Sequence, residues 1–346
     1  MDMRTHIRRQ GRDCTPAVRS FARRNWLTGG LILLALVACA PAARAQDAYP
    51  SRPVKLVVPF PAAGPLDLLA RLVSQKLGDQ WPQPVIVENR AGATGGIGTE
   101  AVAQATPDGY TLLLTVEIPL TMRPAITKNM TYDPRGDFAP IAGLTRSDNA
   151  LFVHPSVGAS TVAELIAKAK AEPGKLTFSS AGIGSPAHFG GELFKTETGV
   201  DMTHVPYKGA APAMTALLGG EVSMFFGPVP QGVGHVRSGK IRALAVTGTK
   251  PSHLMPEVKT FGALGYPTVV VSTWFGALAP KGTPAPVLNK IRESLRKVIE
   301  DRSVRDRLEK VDMSIEWLEP AQLAHAIDTD IKRWTAVAKK AGVKAN

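Results

Sequence analysis

Cysteine is almost missing from this chain: of 346 residues only Cys14 and Cys39 carry a thiol, and both precede residue 46. Beyond that point disulfides, thiolate nucleophiles and cysteine–zinc sites are all excluded. Aromatic residues are few, at 6%, and no Lys/Arg run is interleaved with them, so nothing resembles a nucleic-acid surface. The histidines after residue 46 (His154, His188, His204, His235, His253 and His325) are dispersed, with no H-x-H or H-x-x-x-H spacing and no adjoining acidic cluster. That pattern argues against a metal site, and no cofactor is called for. Long apolar runs are also lacking. Leu31–Val37 is too short to span a bilayer, and no later stretch approaches that length. There is no internal repeat and no low-complexity tract.

What precedes residue 46 reads as an export signal, expected to be removed. Arg4, Arg8, Arg9, Arg12, Arg19, Arg23 and Arg24 form a basic n-region, Leu31–Val37 the apolar core, and Ala43-Arg44-Ala45 an A-x-A cleavage site. Arg23-Arg24 loosely resembles a twin-arginine signal, and Leu36-Val37-Ala38-Cys39 resembles a lipid-attachment box; cleavage after Ala45 is favoured because its site is intact. Losing this segment removes eight Arg and two Asp, which takes the formal net charge from +12 to +6. The mature chain is therefore mildly basic, suited to anionic small molecules, and is expected in the periplasm.

Short apolar runs alternate with helical patterns throughout, which predicts an α/β protein with mainly parallel sheets and helices on both faces. Predicted strands are Val54–Val58, Val85–Glu88, Thr111–Thr115, Ala150–His154, Leu176–Phe178, Thr203–Tyr207, Val222–Phe226, Ile241–Thr247 and Phe275–Ala279. One helical face is marked by Leu68, Leu69, Leu72, Val73 and Leu77, and another by Val162, Leu165, Ile166 and Ala169 behind the capping box Thr161-x-x-Glu164. Two long helices, around 287–299 and 323–337, close the chain. About 300 mature residues predict two lobes. Chain crossings near 148–150 and 272–275 would give a first lobe of 46–148 plus 273–346 and a second of 149–272.

Twice an apolar strand runs into a small-residue turn that opens a helix. The first turn is Phe60-Pro61-Ala62-Ala63-Gly64-Pro65-Leu66-Asp67; the second is Ser179-Ser180-Ala181-Gly182-Ile183-Gly184-Ser185-Pro186-Ala187-His188. A helix start presents unpaired N–H groups and the positive end of its dipole, so each turn can hold an anion, and small residues let a ligand reach the backbone. Two such turns facing one another would grip a carboxylate from both sides, as a solute receptor does. Asp67 reads either as a carboxylate satisfying its own helix start or as a group that orders the anion pocket.

The decoys fail on specific counts. Gly182-Ile183-Gly184-Ser185-Pro186-Ala187 fits G-x-G-x-x-A, but Asp201 precedes the next strand, where a ribose-binding acid should end it. Ser185 and His188 suggest a hydrolase, yet the G-x-S-x-G elbow is absent and a helical i, i+3 pair is poor geometry for proton transfer. Ser185 as a hydroxyl donor to an anion, with His188 bracing the loop, is more economical. The run Gly92-Ala93-Thr94-Gly95-Gly96-Ile97-Gly98 lacks the Gly-Lys-Ser/Thr of a phosphate loop, and reads as a tight turn with Asn89 and Arg90 fixing it, or as part of the cleft wall.

Across about 290 residues the mature chain resembles the Bug-type extracytoplasmic solute receptors of tripartite tricarboxylate transporters. The resemblance is carried by Tyr49-Pro50-Ser51-Arg52-Pro53, Val58-Pro59-Phe60, Gly64-x-x-Asp67-x-x-Ala70-Arg71, Glu88-Asn89-Arg90-x-Gly92, Pro107-Asp108-Gly109-Tyr110, Tyr132-Asp133-Pro134, Val205-Pro206-Tyr207-Lys208-Gly209 and Trp274-Phe275-Gly276, in that order. It implies a two-lobed periplasmic-binding-protein fold of the Venus-flytrap, type II-like kind. It further implies a monomeric, non-enzymatic receptor that binds a small organic carboxylate, partly through ordered waters, and docks on a membrane permease. By position, Phe60 to Asp67 become the first carboxylate loop and Ser180 to Ser185 the second, with Tyr207 and Phe226-Gly227 near the rest of the ligand. Delivery to a membrane sensor kinase and an exported hydrolase using Ser185 or Glu117 are the alternatives.

Departures from the family pattern sharpen this. Ala63-Gly64 stands where two glycines are usual, Leu66 where a small or hydroxyl residue is common, and Gly227 where an acid is common. Glu117, just after a strand, is a further cleft candidate that could offset the missing acid. These residues favour a plain carboxylate with a partly apolar or aromatic body. Gly184→Asp is expected to abolish ligand-induced stabilisation with the fold intact, as read by thermal shift.

Overall fold

The computed structural model describes residues 49–344. The export signal, both cysteines and the lipid-attachment motif lie outside the described residues, which belong to one compact unit starting at Tyr49. Strand β1 (Val54–Val58) buries all but Lys55, the pattern of a strand covered on both faces. It pairs in parallel with β2 (Val85–Asn89) and β3 (Thr111–Val116). Helix α1 (Pro65–Gln80) follows β1, and short α2 (Gly96–Ala103) and α3 (Arg123–Ile126) follow β2 and β3.

The long strand β4 (Phe138–Val153) organises the molecule. Its first part, through Asp148, pairs antiparallel with β9 (Ser272–Pro280) and partly with β10 (Met313–Leu318). From Asn149 onward it pairs instead with β7 (Met224–Pro228) and β8 (Arg242–Val246). The chain thus leaves one ladder for another between Asp148 and Asn149. Strands β5 (Thr177–Ser180) and β6 (Thr203–Pro206) complete the second ladder in parallel beside β7.

The ladders are mixed rather than mainly parallel, with four parallel and five antiparallel pairings among the described residues. The cause is directional: β4 runs into the second lobe and β9 runs back, so they oppose each other, whereas strands joined by helices stay parallel. Helices cover both faces of the first sheet. Leu69 and Val73 of α1 pack with Ile291, Leu295 and Val298 of α8 (Ala285–Glu300) on one side, joined by Val304 and Leu308 of α9 (Arg302–Glu309). Val102 of α2 packs with Leu323, Ile327 and Ile331 of α10 (Pro320–Ala341) on the other. The second lobe has its own core, in which α4 (Val162–Ala171), α5 (Pro186–Thr198), α6 (Ala210–Leu218) and α7 (Val229–Arg237) pack around Phe152, Phe178, Phe225 and Phe226.

A further apolar cluster ties α5 to the C-terminal helix. Phe189 and Leu193 of α5 meet Trp334, Val337 and Ala338 of α10, with the Phe189 and Trp334 rings 5.2 Å apart. The Trp334 indole N–H is buried and unpaired. Trp334→Ala is therefore expected to cost about 3–5 kcal/mol in chemical denaturation. Trp334→Phe keeps most of the packing and removes the orphaned donor, so its expected cost is below about 1.5 kcal/mol.

Candidate functional site

The first loop ends on a helix start that nothing in the protein caps. Gly64 is the N-cap of α1 and has no side chain to accept a hydrogen bond; Pro65 follows at the first helical position. The amides of Gly64, Leu66 and Asp67 consequently have no partner among the described residues. The loop's shape is held from behind by Asp67, which is buried. One carboxyl oxygen accepts from the Ala63 N–H at 3.0 Å and the Arg71 Nε at 2.8 Å; the other accepts from Asn89 Nδ2 at 3.0 Å. Asn89 also donates to the Phe60 carbonyl at 3.1 Å. Burial pushes the Asp67 pKa up, but hydrogen bonds from Arg71, Ala63 and Asn89 outweigh it and hold the group below the ordinary carboxylate range. The Asp67 carboxylate thus braces the loop from behind. Ala63 sits at φ +67, a left-handed conformation that glycine would adopt without strain.

The Gly92–Gly98 run packs against the back of this loop. A Cβ on Gly98 would stand 2.8 Å from the Pro59 Cα, and one on Gly95 would stand 3.1 Å from the Phe60 ring. It is a backing turn and contributes nothing to the cavity wall.

In the second loop some amides are already engaged. Gly182 N–H donates to Ser180 Oγ at 3.1 Å, and Gly184 N–H donates to His188 Nδ1 at 3.2 Å. Ser185 caps α5 by accepting from the His188 N–H at 3.4 Å. The amides of Ala181, Ile183 and Ala187 are left without a partner among the described residues. Behind the loop the His188 and His204 rings stack at 3.9 Å and 12°, and His204 Nε2 lies 2.6 Å from Ser180 Oγ. Burial drives both imidazole pKa values down, to about 3 for His188 and about 4 for His204; the neighbouring ring adds to the shift of His188, and Lys195 to both. With the His188 ring nitrogen bound to Gly184, Ser185 has no base, so a serine–histidine nucleophile is not formed.

Gly184 corrects an expectation. It sits at φ +79, and a Cβ there would lie 2.5 Å from Ile126 Cδ1. A side chain would strain the backbone and strike α3 rather than enter the cavity. Gly184→Asp therefore does not leave the fold untouched.

Both helix starts open on one cavity of about 730 Å³. Residues 60–66 form one side; Ala181, Ser185, Pro186 and Ala187 form the other, and Phe226 lies on the wall. Of the remaining residues singled out in the sequence, Ser180, Gly182, Gly184 and His188 stand behind the second loop, and Ile183 is exposed away from the cavity wall. Tyr207 is off the wall, bonding through its N–H to the Ser180 carbonyl at 3.0 Å. Gly227 is off it too, because the Phe225 ring lies 2.2 Å from where its Cβ would be. Glu117 is fully buried and off the cavity wall, with neither oxygen in a well-formed hydrogen bond. Burial pushes its pKa up to about 8, the Asp330 charge adds to this, and the Thr273 hydroxyl and Arg146 pull the other way.

The floor went unrecognised in the sequence. It is made by Ser147 and Asn149 of β4 and by Thr273 and Phe275 of β9. Their i, i+2 spacing on the two crossing strands is the signal that marks them.

The family model described as the tripartite tricarboxylate transporter family receptor matches residues 69–343. The chain is 36% identical to Protein BugT of Bordetella pertussis over 299 residues, covering 86% of this chain and 92% of that protein. Among solved structures it is similar to R. palustris Rpa4515 with adipate, at 33% identity and a TM-score of 0.75, covering 86% of this chain and 99% of that one. It is likewise similar to the periplasmic binding protein BugD, at 34% identity and a TM-score of 0.72, covering 86% and 100%.

The stacked imidazoles give the site a pH signature. Their folded pKa values lie below the unfolded value of 6.5, so protons favour the unfolded chain. The pair's stabilisation is complete above pH 6.5 and is lost as pH falls toward 4 and then 3. Buried acids with raised pKa, such as Glu117 and Asp330, act in the opposite sense, so the difference between two proteins is the clean measure. In urea titrations from pH 7 to 4.5, His204→Gln is expected to lose less stability than the parent; parallel curves would contradict the assignment.

Proposed function

We propose that this chain, which belongs to the tripartite tricarboxylate transporter receptor family, is an exported, non-enzymatic receptor that closes two lobes on a small organic carboxylate. In this reading it works in the periplasm and presents its loaded form to a membrane permease of that transporter class. No helix among the described residues is long and apolar enough to cross a membrane. The observation that carries the reading is the pair of helix starts, Gly64-Pro65-Leu66 and Ser185-Pro186-Ala187, opening on the same cavity.

The carboxylate would take the unpaired amides of Gly64 and Leu66 from one side and those of Ala181 and Ala187 from the other. Hydrogen bonds to a charged group contribute about 1.5–3 kcal/mol each, and two helix dipoles add to them. Residues 60–66, Ala181, Ser185 and Phe226 would contact ligand, while Asp67, Ser180, Gly182, Gly184 and His188 hold the loops in shape. The lobes are assigned as 46–148 plus 273–346 and 149–272, hinging where β4 changes ladders and β9 begins. Closure would be favoured only by a ligand that touches both loops, which makes the closed shape a report of occupancy.

Gly64→Asp tests this directly. Gly64 has φ −88, and its Cβ would have nothing nearer than 3.9 Å, so a side chain fits. Aspartate is a strong N-cap whose carboxylate would take the Leu66 or Asp67 amide itself. The expected result is an unchanged or slightly raised melting temperature with loss of every carboxylate-induced thermal shift. Retained shifts, or a parent protein that responds only to amino acids or sugars, would contradict the reading.

A further inference from the structure

The cavity says more about its guest than that it carries a carboxylate. No Lys, Arg, His, Asp or Glu is among the residues that line it. Its body is walled by four phenylalanines, Phe60, Phe225, Phe226 and Phe275. The absence of a side chain at Gly227 is what lets the Phe225 ring lie where it does. A second ionised group on the ligand would therefore leave water for a place with no opposite charge to receive it.

The groups behind the floor offer such a charge no free partner either. Arg146 and Asp148 flank Ser147 on β4, and alternation along a strand turns them to the opposite face. Arg146 Nη1 donates to Glu316 at 3.0 Å, which balances its charge, while its Nε is buried without a partner. Glu117 lies behind Thr273 with neither oxygen in a well-formed hydrogen bond. An anion at the floor would therefore meet no free base, only acids whose pKa burial raises.

The floor does offer neutral polarity. Ser147 and Thr273 stand directly opposite each other across the β4–β9 ladder, and both line the cavity. The Ser147 hydroxyl has no hydrogen-bond partner within the described residues and the Thr273 hydroxyl has only the buried Glu117 carboxyl behind it; neither is sealed from the cavity. Asn149, next on the same face of β4, donates its amide N–H to the Val271 carbonyl at 3.3 Å, which leaves its side-chain oxygen for another donor. Two hydroxyls and an amide oxygen suit a hydroxyl or carbonyl group, which can give or take a hydrogen bond without carrying charge.

We propose that the ligand is a monoanion: a carboxylate at the two helix starts, an apolar or aromatic body against the phenylalanines, and a neutral hydroxyl or carbonyl group read by Ser147, Thr273 and Asn149. This specificity rests on the carboxylate-capture reading above and refines it. The two crossing strands then serve as both hinge and selectivity floor, because the groups that read the ligand's far end lie where the lobes join.

Calorimetry with the mature protein on two matched pairs separates the refinement from its premise. The pairs are 6-hydroxyhexanoate with adipate, and 4-hydroxybenzoate with terephthalate; within each, the body is similar and only the far group changes from hydroxyl to carboxylate. The monoanion is expected to bind more tightly by about tenfold or more in whichever pair fits the cavity. The double variant Ser147→Ala with Thr273→Val is expected to weaken the hydroxylated ligand by about tenfold while leaving benzoate or hexanoate unchanged. Equal or tighter binding of the dianions, or a double variant that weakens both kinds of ligand alike, would overturn the monoanion assignment and leave carboxylate capture standing. If neither pair binds, nor benzoate nor hexanoate, capture and refinement fall together.

Discussion

The site depends on one unmet demand: the first-turn amides of α1 need acceptors, and the protein declines to supply them. A serine, threonine or aspartate at position 64 would cap this helix at no steric cost, since glycine's φ of −88 there is ordinary. Glycine instead leaves the Leu66 N–H facing a cavity. Unsatisfied donors in a largely apolar pocket are unfavourable, and an anion removes that penalty on binding. The α5 start differs in detail. Ser185 caps the His188 amide but leaves Ala187 free. The two halves of the grip are therefore related in design without being copies.

Free amides are useful only if the loops carrying them are stiff. Each loop is braced by buried polar groups. Asp67 draws together Ala63, Arg71 and Asn89, and through Asn89 the Phe60 carbonyl. On the other side, two neutral imidazoles stack behind the second loop and engage Gly184 directly and Gly182 through Ser180. Glycines at φ +121 and +79 make that loop path possible. The braces decide which amides are consumed and which are offered. Pre-organised donors bind an anion without a further ordering cost.

Much of this was legible from residues alone, because the signals were local. Strand–turn–helix transitions at Val58 and Phe178, proline at the first helical position and the amphipathic faces of α1, α8 and α10 all act over a few residues. What escaped detection depends on distant partners. The first half of β4 contains Pro140, Gly143, Arg146 and Asp148, which speak against a strand; it is one because β9 and β10 pair with it. Strand β10 lies between two helices and was overlooked for the same reason. Ser147 and Thr273 are unremarkable 126 positions apart in sequence and adjacent only in the ladder. Glu117 follows a strand as a cleft residue would, yet the chain's turn into the Ile118–Met122 segment places it behind the wall. Gly184 reads as a loop residue open to ligand, but its φ of +79 strains any side chain, and the Ile126 side chain, 58 positions away, stands 2.5 Å from where a Cβ would be.

A crystal structure of the protein with a bound carboxylate tests the central claim most directly. Both carboxylate oxygens are expected about 3 Å from main-chain nitrogens, or one water removed, with Gly64 or Leu66 on one side and Ala181 or Ala187 on the other. A carboxylate held by a side-chain cation, or bound to one loop while the other helix start faces bulk water, would contradict it.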